Sequence, residues 1–417
     1  MVIERDLCAK CKGSRRLCGR PKCPILVRIT ALKSVSSKLK DSDSLFGSSP
    51  PGVLVGEWGY PRIRLGGLVP PEVGVKAAFF DNPVKWIEQK VSLDEIIKLR
   101  SSLVYSRFSA HIKTPRKTEL KFLESTQELA MAAKPTDVEV DFLKPPRFKL
   151  NFDGIVTPVG ITAPIKNMKL AENPLVPHKV EYLVSDTDVK ASTAMWELYN
   201  AGTPVYHIFR ILSVGLLGVK KQRKLVPTRW AITAVDKNIG DKLLKSVKTF
   251  PEINWYLVFH HEYLGNHFEL IFIPRSYSFE VIEMWMPHSV WVMGNKPSIF
   301  VNWEFWDGKA RYMDGGYYAI RLPVLEYLFR VKRQATVVAI REIRPEYYAP
   351  VGNWQIRENV RKALSSSPEK FNTLREALNS VSKRLKTSAD IWMPKSYLLR
   401  FIEQQKTLDM YLEFLKP

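Results

Sequence analysis

Residues 255–285 read WYLVFHHEYLGNHFELIFIPRSYSFEVIEMW, and this stretch decides the fold because apolar and aromatic residues dominate it. Two apolar runs, Trp255–His260 and His267–Ile273, stand on either side of Leu264-Gly265-Asn266. Strand-like runs separated by a short glycine-containing turn predict a β-hairpin. Glu280–Trp285 predicts a further strand. The stretch therefore indicates a sheet in the middle of the chain.

The flanking sequence predicts helices mixed with more strands. Strands are predicted at 230–235, 299–306, 310–314 and 335–343, with Asp307-Gly308 as a hairpin turn. Helices are predicted at 186–202, at 203–218 and after residue 366, where the first begins at Ser367-Pro368 and the last carries Tyr397 to Ile402. The sequence therefore predicts a mixed α/β (α+β) protein with a two-part sheet-and-helix core and a helical C-terminal region.

The composition predicts a folded intracellular protein with a polyanionic partner. The 417 residues include 63 Lys and Arg against 42 Asp and Glu, a net charge of +21, and 45% are hydrophobic. That apolar share excludes a mostly disordered chain. No apolar run reaches the roughly 20 residues of a membrane span, and the N-terminus lacks an apolar signal segment. We expect a cytoplasmic protein with no membrane partner.

All four cysteines fall within the first 23 residues, as Cys8, Cys11, Cys18 and Cys23. Four thiolates spaced so closely between turn residues can surround one tetrahedral metal ion. The surrounding cations would lower the thiol pKa values and offset the charge of the site. We predict a structural zinc knuckle. The alternatives are an iron–sulfur cluster and a pair of disulfides without any metal.

A stretch without acidic residues, from Leu198 to Val235, carries a cluster of cations. The cations predicted to contact nucleic-acid phosphates are Lys220, Lys221, Arg223, Lys224 and Arg229. The alternative is a solvated loop on a basic protein. Trp230 opens an apolar run, and we expect it in the core rather than at a base-stacking surface.

Signals for catalysis are weaker, and no catalytic residue is assigned. Asp186 with Asp188, and Asp236 beside Arg229, could hold a divalent metal for hydrolysis. Asp186 and Asp188 also fit a helix N-terminus. His260, His261, Glu262 and His267 lie around the predicted hairpin, where neighbouring residues point to opposite faces. For each of these groups, a role in stabilising the fold is favoured over a role in catalysis.

The end of the chain carries Gln405, Leu408, Tyr411 and Leu412 in the spacing of peptides that bind the replication sliding clamp (PCNA). One tight helical turn would place Leu408, Tyr411 and Leu412 on one side as an apolar plug, with Gln405 at the pocket rim. Leu412 stands where a second aromatic residue is usual. The alternative is that this segment ends an amphipathic helix of the core.

The cysteine motif, the segment VPTRWAITAVD at 226–236 and the terminal peptide together resemble the archaeal Nre family of DNA repair proteins, of the NreA type. The resemblance covers essentially the whole chain. It implies a metal knuckle at 1–33, an Nre N-terminal domain at 34–285, an Nre C-terminal domain at 286–404 and a clamp-binding tail at 405–417. It also implies a nucleoid-associated factor in DNA damage repair with DNA and the clamp as partners.

Two other functions stay open. The first is a hydrolase acting on a nucleotide or a DNA adduct with carboxylates near Asp186, Asp188 and Asp236, so that enzymatic activity is undecided. The second is an RNA-binding protein with a zinc knuckle. A deep polar pocket lined by those acids would favour the enzyme, and a basic face would favour the binding protein.

Overall fold

A computed structural model of the protein describes residues 5–13, 15–39, 42–117, 120–146, 160–290, 292 and 294–405. The chain divides into two compact units, Met1–Lys242 with Tyr348–Glu358, and Leu243–Tyr347 with Asn359–Pro417. The described residues form two six-stranded mixed sheets and fourteen α-helices, so the predicted mixed α/β class is confirmed. Within the described ranges, no helix is both long and apolar enough to cross a membrane.

Six strands form the sheet of the first unit: β1 (Ser44–Ser49), β2 (Val53–Val55), β3 (Arg62–Val69), β4 (Val104–His111), β5 (Thr136–Phe142) and β6 (Thr162–Leu170). Their order is β1-β5-β6-β4-β3-β2, and only β4 and β6 are parallel neighbours. On β3, Ile63 and Leu65 are fully buried whereas Arg62 and Arg64 are exposed. This alternation gives the sheet a core face and a polar face.

The first nine described helices along the chain are α1 (Arg5–Cys11), α2 (Pro24–Lys38), α3 (Pro83–Glu88), α4 (Leu93–Ser101), α5 (Lys121–Met131), α6 (His178–Ser185), α7 (Ala191–Asn200), α8 (Val205–Ser213) and α9 (Thr228–Val247). Helices α7 and α8 confirm the helices predicted at 186–202 and 203–218. The predicted strand at 230–235 is wrong, because this run belongs to α9. Ala231, Val235 and Ile239 are fully buried at four-residue spacing, which is one face of a helix.

The sheet of the second unit comprises β7 (Tyr256–Tyr263), β8 (Asn266–Ile273), β9 (Ser278–Trp285), β10 (Ser298–Glu304), β11 (Thr336–Ile343) and β12 (Glu369–Phe371). Their order is β10-β9-β11-β8-β7-β12, with β9 and β11 parallel. The hairpin of β7 and β8 is confirmed, and its turn residues Leu264 and Gly265 both have positive φ. Strands β8 and β11 are buried along their whole length. Their buried charged residues are paired, as Glu269 is with Arg384 and Arg341 with Glu283.

The remaining helices are α10 (Gly315–Val331), α11 (Trp354–Leu364), α12 (Leu374–Arg384), α13 (Ala389–Trp392) and α14 (Tyr397–Gln404). The predicted helix start at Ser367-Pro368 is wrong, because these residues precede β12, which pairs with β7. Helix α12 begins instead at a capping box of Thr373 and Glu376.

The predicted strand at 310–314 is also wrong. The Asn302 side chain accepts the Tyr312 N–H at 3.1 Å and donates to the Tyr312 carbonyl at 2.9 Å, so a side chain takes the place of a partner strand. Asp314 then begins α10 by accepting the N–H groups of Gly316 and Tyr317.

Candidate nucleic-acid interface

Three segments of the first unit meet at one end of its sheet. The Ile112 N–H, directly after β4, donates to the Pro61 carbonyl at 2.9 Å, and the Leu225 N–H donates to the Ile112 carbonyl at 2.8 Å. The Val55 N–H of β2 donates to Thr228 Oγ1, at the start of α9, at 2.9 Å. These bonds hold the β2–β3 turn, the end of β4 and the loop before α9 side by side.

Cations from all three segments are exposed at this end. Lys221, Lys224 and Arg229 come from the predicted loop, Arg62 from the start of β3 and Lys113 from the segment after β4. Arg229 lies 3.5 Å from Glu57, but its side chain is 82% exposed, so the contact leaves it open to solvent. The basic edge, as we name this surface, consists of these five cations and three exposed aromatic residues, Trp58, Tyr60 and Trp230.

Two of the predicted phosphate-binding cations differ from the rest in burial. Lys220 is half-buried, and its N–H donates to the Thr187 carbonyl at 2.8 Å. Arg223 is only 5% exposed. Its guanidinium donates to the carbonyls of Gly218 (2.8 Å), Val184 (2.8 Å) and Asp186 (2.9 Å).

Arg223 therefore anchors the loop from within and is not part of the exposed surface, so its predicted phosphate contact has no support from this structure and stays a prediction. Burial lowers the pKa of its guanidinium, and the charge of Asp186 opposes that shift. The polar run at 220–224 gives no local sign of which side chain points inward. That choice depends on the backbone carbonyls of Gly218, Val184 and Asp186, two of which are distant in sequence.

The aromatic side chains of the basic edge are unusually exposed. Trp58 is 86% exposed, and Tyr60 and Trp230 are each 47% exposed. The rings of Tyr60 and Trp230 lie 5.6 Å apart between centroids. The expectation that Trp230 lies in the core is wrong, because the helix turns the apolar face of α9 inward and leaves Trp230 outside it. Exposed aromatic faces beside cations are typical of surfaces on which nucleic-acid bases stack.

Cations continue from the basic edge along the polar face of the sheet. Arg62 pairs across strands with His111, and Arg64 with Ser109, so these residues share one face. Arg107 belongs to the same face, and its Nε is buried with no hydrogen-bond partner among the described residues. Burial raises the pKa of the neighbouring Tyr105, and the charges of Arg107 and Arg64 oppose that rise.

The four cysteines lie close enough together to affect one another's ionisation. Cys11 is buried, whereas Cys8, Cys18 and Cys23 are half-buried. The pKa of Cys8 is raised by burial first and then by the charges of Cys18, Cys23 and Cys11, while Arg20 opposes the rise.

Cys11 shows the opposite shift. Its pKa is lowered, first by the backbone N–H of Leu17, then by those of Gly13, Arg15 and Arg16. Among the residues that the structure describes, no three His, Cys, Asp or Glu side chains are arranged around a common point as metal ligands, and this includes the four cysteines. The zinc site stays a prediction.

The candidate catalytic acids each have a structural partner. Asp236 and Arg357 are both 1% exposed and form an ion pair in which Arg357 Nε lies 3.1 Å from Asp236 Oδ1. Asp186 Oδ1 accepts the N–H groups of Asp188 (2.9 Å) and Val189 (3.0 Å) in the turn after α6. These carboxylates therefore serve an ion pair and a turn.

The histidines on the hairpin also have structural partners. His260 lies 3.7 Å from Glu369, and His261 Nδ1 lies 2.5 Å from Asn359 Oδ1. His267 Nε2 lies 2.7 Å from Glu269 Oε1, a fully buried carboxylate. Glu262 pairs with Arg344. These contacts agree with the structural interpretation of the cluster.

Of the terminal peptide, the structure describes only Gln405, and Leu408, Tyr411 and Leu412 lie outside the described residues. The Gln405 side-chain oxygen accepts a hydrogen bond from Arg275 Nη1 at 2.6 Å, directly after α14. The predicted clamp contact stays a prediction.

Sequence reasoning missed Trp58, Tyr60, Arg62 and Lys113. Part of the signal was present, because EWGYPR at 57–62 places two aromatic residues in a turn between short strands, where side chains are exposed. Lys113 carries no such signal, since its place at the basic edge depends on the pairing of distant backbone groups.

The fold and this surface define a two-unit α/β protein with a cationic, aromatic edge. The chain belongs to the archaeal Nre family: the family's N-terminal model (Archaeal Nre, N-terminal) matches residues 17–292 and its C-terminal model (Archaeal Nre, C-terminal) matches 304–411. It is 42% identical to the DNA repair protein NreA of Archaeoglobus fulgidus, over 91% of this chain and 93% of the relative.

Two further relatives carry the same description. Identity is 37% with the DNA repair protein NreB of Archaeoglobus fulgidus, over 94% of this chain and 97% of the relative. It is 35% with the DNA repair protein NreA of Haloferax volcanii, over 93% of each chain. No solved structure matches this chain significantly.

Proposed function

We propose that this protein is a DNA repair factor that binds nucleic acid through the basic edge and is associated with the nucleoid. The observation that carries the proposal is the meeting of five exposed cations and three exposed aromatic residues from three separate segments. The names of the relatives, all DNA repair proteins, support DNA as the ligand.

The chemistry of the basic edge favours DNA that has unpaired bases. Cations bind phosphates without reading sequence, and exposed Trp and Tyr rings provide surfaces on which bases can stack. Bases in an intact duplex are stacked on one another, so Trp58 and Trp230 can act only where a base is unpaired.

The test neutralises the three exposed cations of the loop as Lys221→Gln, Lys224→Gln and Arg229→Gln. Each lost phosphate contact should reduce the slope of log affinity against log salt by about 0.9 for duplex DNA and about 0.7 for single strands. Fluorescence anisotropy over a salt series should thus show a slope smaller by roughly 2 to 3 and weaker binding to every sequence.

The matched control neutralises three exposed lysines of the second unit, as Lys309→Gln, Lys370→Gln and Lys395→Gln. Both triple variants lose the same net charge, so a general charge effect would weaken them equally. Equal weakening, or an unchanged slope in the first triple variant, would contradict the proposal.

We also propose that the terminal peptide recruits the protein to the sliding clamp through Gln405, Leu408, Tyr411 and Leu412. The spacing of these four residues, which is that of clamp-binding peptides, supports this role. The double change Leu408→Ala and Tyr411→Ala should abolish clamp binding in calorimetry and leave the melting temperature unchanged. A lower melting temperature with retained clamp binding would instead mean that these side chains belong to the core.

We further propose that Cys8, Cys11, Cys18 and Cys23 hold one structural zinc ion. The N–H groups that lower the pKa of Cys11 favour its thiolate form, which is the form that binds metal. Elemental analysis of protein purified without chelator should give about one zinc per chain, and Cys11→Ser should release it. Iron in place of zinc would support the cluster alternative, and absence of metal would contradict the proposal.

A further inference from the structure

A cavity of about 220 Å³ lies within the first unit, apart from the residues of the basic edge. Its apolar wall includes Leu54, Phe209 and Trp354. The Trp354 ring stacks edge-on against Trp86 with 5.1 Å between centroids, and its N–H donates to the Val351 carbonyl at 2.6 Å. The ring is therefore held in place as part of a rigid wall.

The lining of the cavity also includes charged side chains, and more of them are positive than negative. Asp81 forms an ion pair with Arg100 at 3.0 Å, and its charge also reaches Arg210. Burial lowers the pKa of Arg210 to about 10, and Asp81 opposes that shift. Arg210 stays protonated at neutral pH, so one carboxylate faces two guanidinium groups.

Both guanidinium groups have unused donors. The Nε atoms of Arg100 and Arg210 are buried without a hydrogen-bond partner among the described residues. Arg210 Nη2 donates to the Ala132 carbonyl at 3.2 Å. A buried donor without an acceptor is unfavourable, and an anion placed between the two arginines would supply acceptors and balance the charge.

A third arginine of the cavity is already neutralised. Arg357 is bound by Asp236, and its guanidinium lies 5.3 Å from the centroid of the Tyr206 ring. The Tyr206 hydroxyl donates to Glu358 at 2.6 Å. The charge surplus therefore belongs to Arg100 and Arg210, in a cavity whose lining also offers aromatic and aliphatic contacts.

We propose that this cavity binds a small organic phosphate with a flat apolar body, the chemistry of a mononucleotide. The phosphate lies between Arg100 and Arg210, and the flat body packs against Phe209 and Trp354. The volume lies below the roughly 300–1,000 Å³ typical of pockets for drug-sized ligands, which argues against any ligand larger than a single nucleotide. The same chemistry is offered by a free nucleotide and by the phosphorylated end of a DNA strand.

A series of ligands separates the contribution of the phosphate from that of the flat apolar body. Deoxyadenosine monophosphate should bind in calorimetry and raise the melting temperature with concentration, because it binds only the folded state. Deoxyadenosine and inorganic phosphate should each bind at least tenfold more weakly. A 5′-phosphorylated oligonucleotide that competes with the mononucleotide, when its unphosphorylated form does not, would identify a strand end as the source.

The variant that tests the site is Arg210→Met, which removes the surplus positive charge and keeps the length of the side chain. It should weaken mononucleotide binding about 10- to 100-fold, as expected for loss of charge-assisted hydrogen bonds. Arg210→Lys keeps the charge without the forked donors, so its mononucleotide affinity should lie between those of the original protein and Arg210→Met. The matched control Arg311→Met, an exposed arginine of the second unit, should bind as the original protein does.

This inference does not depend on the proposed function. Arg210→Met should keep its DNA affinity and salt slope, whereas the triple loop variant should keep mononucleotide binding. Lack of mononucleotide binding by the unmodified protein, or an unchanged affinity in a folded Arg210→Met variant, would overturn the cavity proposal and leave the basic edge untouched.

Discussion

Arg223 and Lys224 are sequence neighbours with opposite surroundings, and we predict opposite consequences when each is replaced by Met. Arg223 is buried and bonded to three carbonyls, whereas Lys224 is exposed. Arg223→Met should destabilise the first unit, because it leaves the carbonyls of Gly218, Val184 and Asp186 without their donor. Lys224→Met should leave stability unchanged and reduce DNA binding.

The size of the Arg223 effect follows from its three hydrogen bonds. Each bond from a charged donor contributes about 1.5–3 kcal/mol, and the lower end gives about 4–5 kcal/mol for three. The burial that lowers the pKa of Arg223 opposes part of this, so we expect a net loss of about 3 kcal/mol. For a unit of this size, that corresponds to a decrease of about 6–12 °C in the melting temperature.

Two measurements on the same pair of variants check the prediction. Calorimetric melting should separate Arg223→Met from the original protein, with Lys224→Met within about 0.5 kcal/mol of it. Anisotropy well below the melting temperature should show a salt slope smaller by about 0.9 for Lys224→Met alone. An Arg223→Met variant with an unchanged melting temperature and a reduced salt slope would refute the reasoning, because Arg223 would then face phosphate.

Three further predictions concern other parts of the chain. Burial raises the pKa of Glu280 to about 7, so the folded protein binds a proton that the unfolded chain has lost between pH 4.5 and 7, and stability falls as pH rises through that window. In urea unfolding, Glu280→Gln should reduce the change in unfolding free energy across this pH window by on the order of 3 kcal/mol. An unchanged pH dependence would exclude Glu280 as its source. Arg357→Met removes the guanidinium that is paired with the buried Asp236 and should cost about 3–5 kcal/mol in the same assay, whereas a stable variant would mean that Asp236 takes up a proton or reaches water. Trp58→Ala should weaken binding of single-stranded DNA by about 1–3 kcal/mol and leave duplex binding nearly unchanged, and an equal loss on both would argue against stacking.

Features that depend on residues close together in the sequence could be predicted, whereas features that depend on contacts between distant residues could not. The hairpin of β7 and β8 could be predicted because its turn and its two apolar runs lie within eighteen consecutive residues. The strand predicted at 230–235 is wrong because a run of six residues, five of them apolar, fits either a strand or one face of a helix. Their inward face is selected by packing of the whole of α9.

The candidate site shows the same division. The sequence supplied the cations at 220–229, but it could not separate Arg223 from Lys224. It also gave no sign that Trp58, Tyr60 and Lys113 would lie beside them, since those residues are separated from the loop by more than a hundred positions.

The sequence by itself determined the mixed α/β class, the family and the positive charge, because these depend on composition, local periodicity and short motifs. Only the tertiary structure decided which cations face solvent, that Trp230 is exposed and that Asp236 pairs with Arg357. The physical reason is that burial and ion pairing are set by groups distant in sequence, which backbone hydrogen bonds such as that between Leu225 and Ile112 bring together.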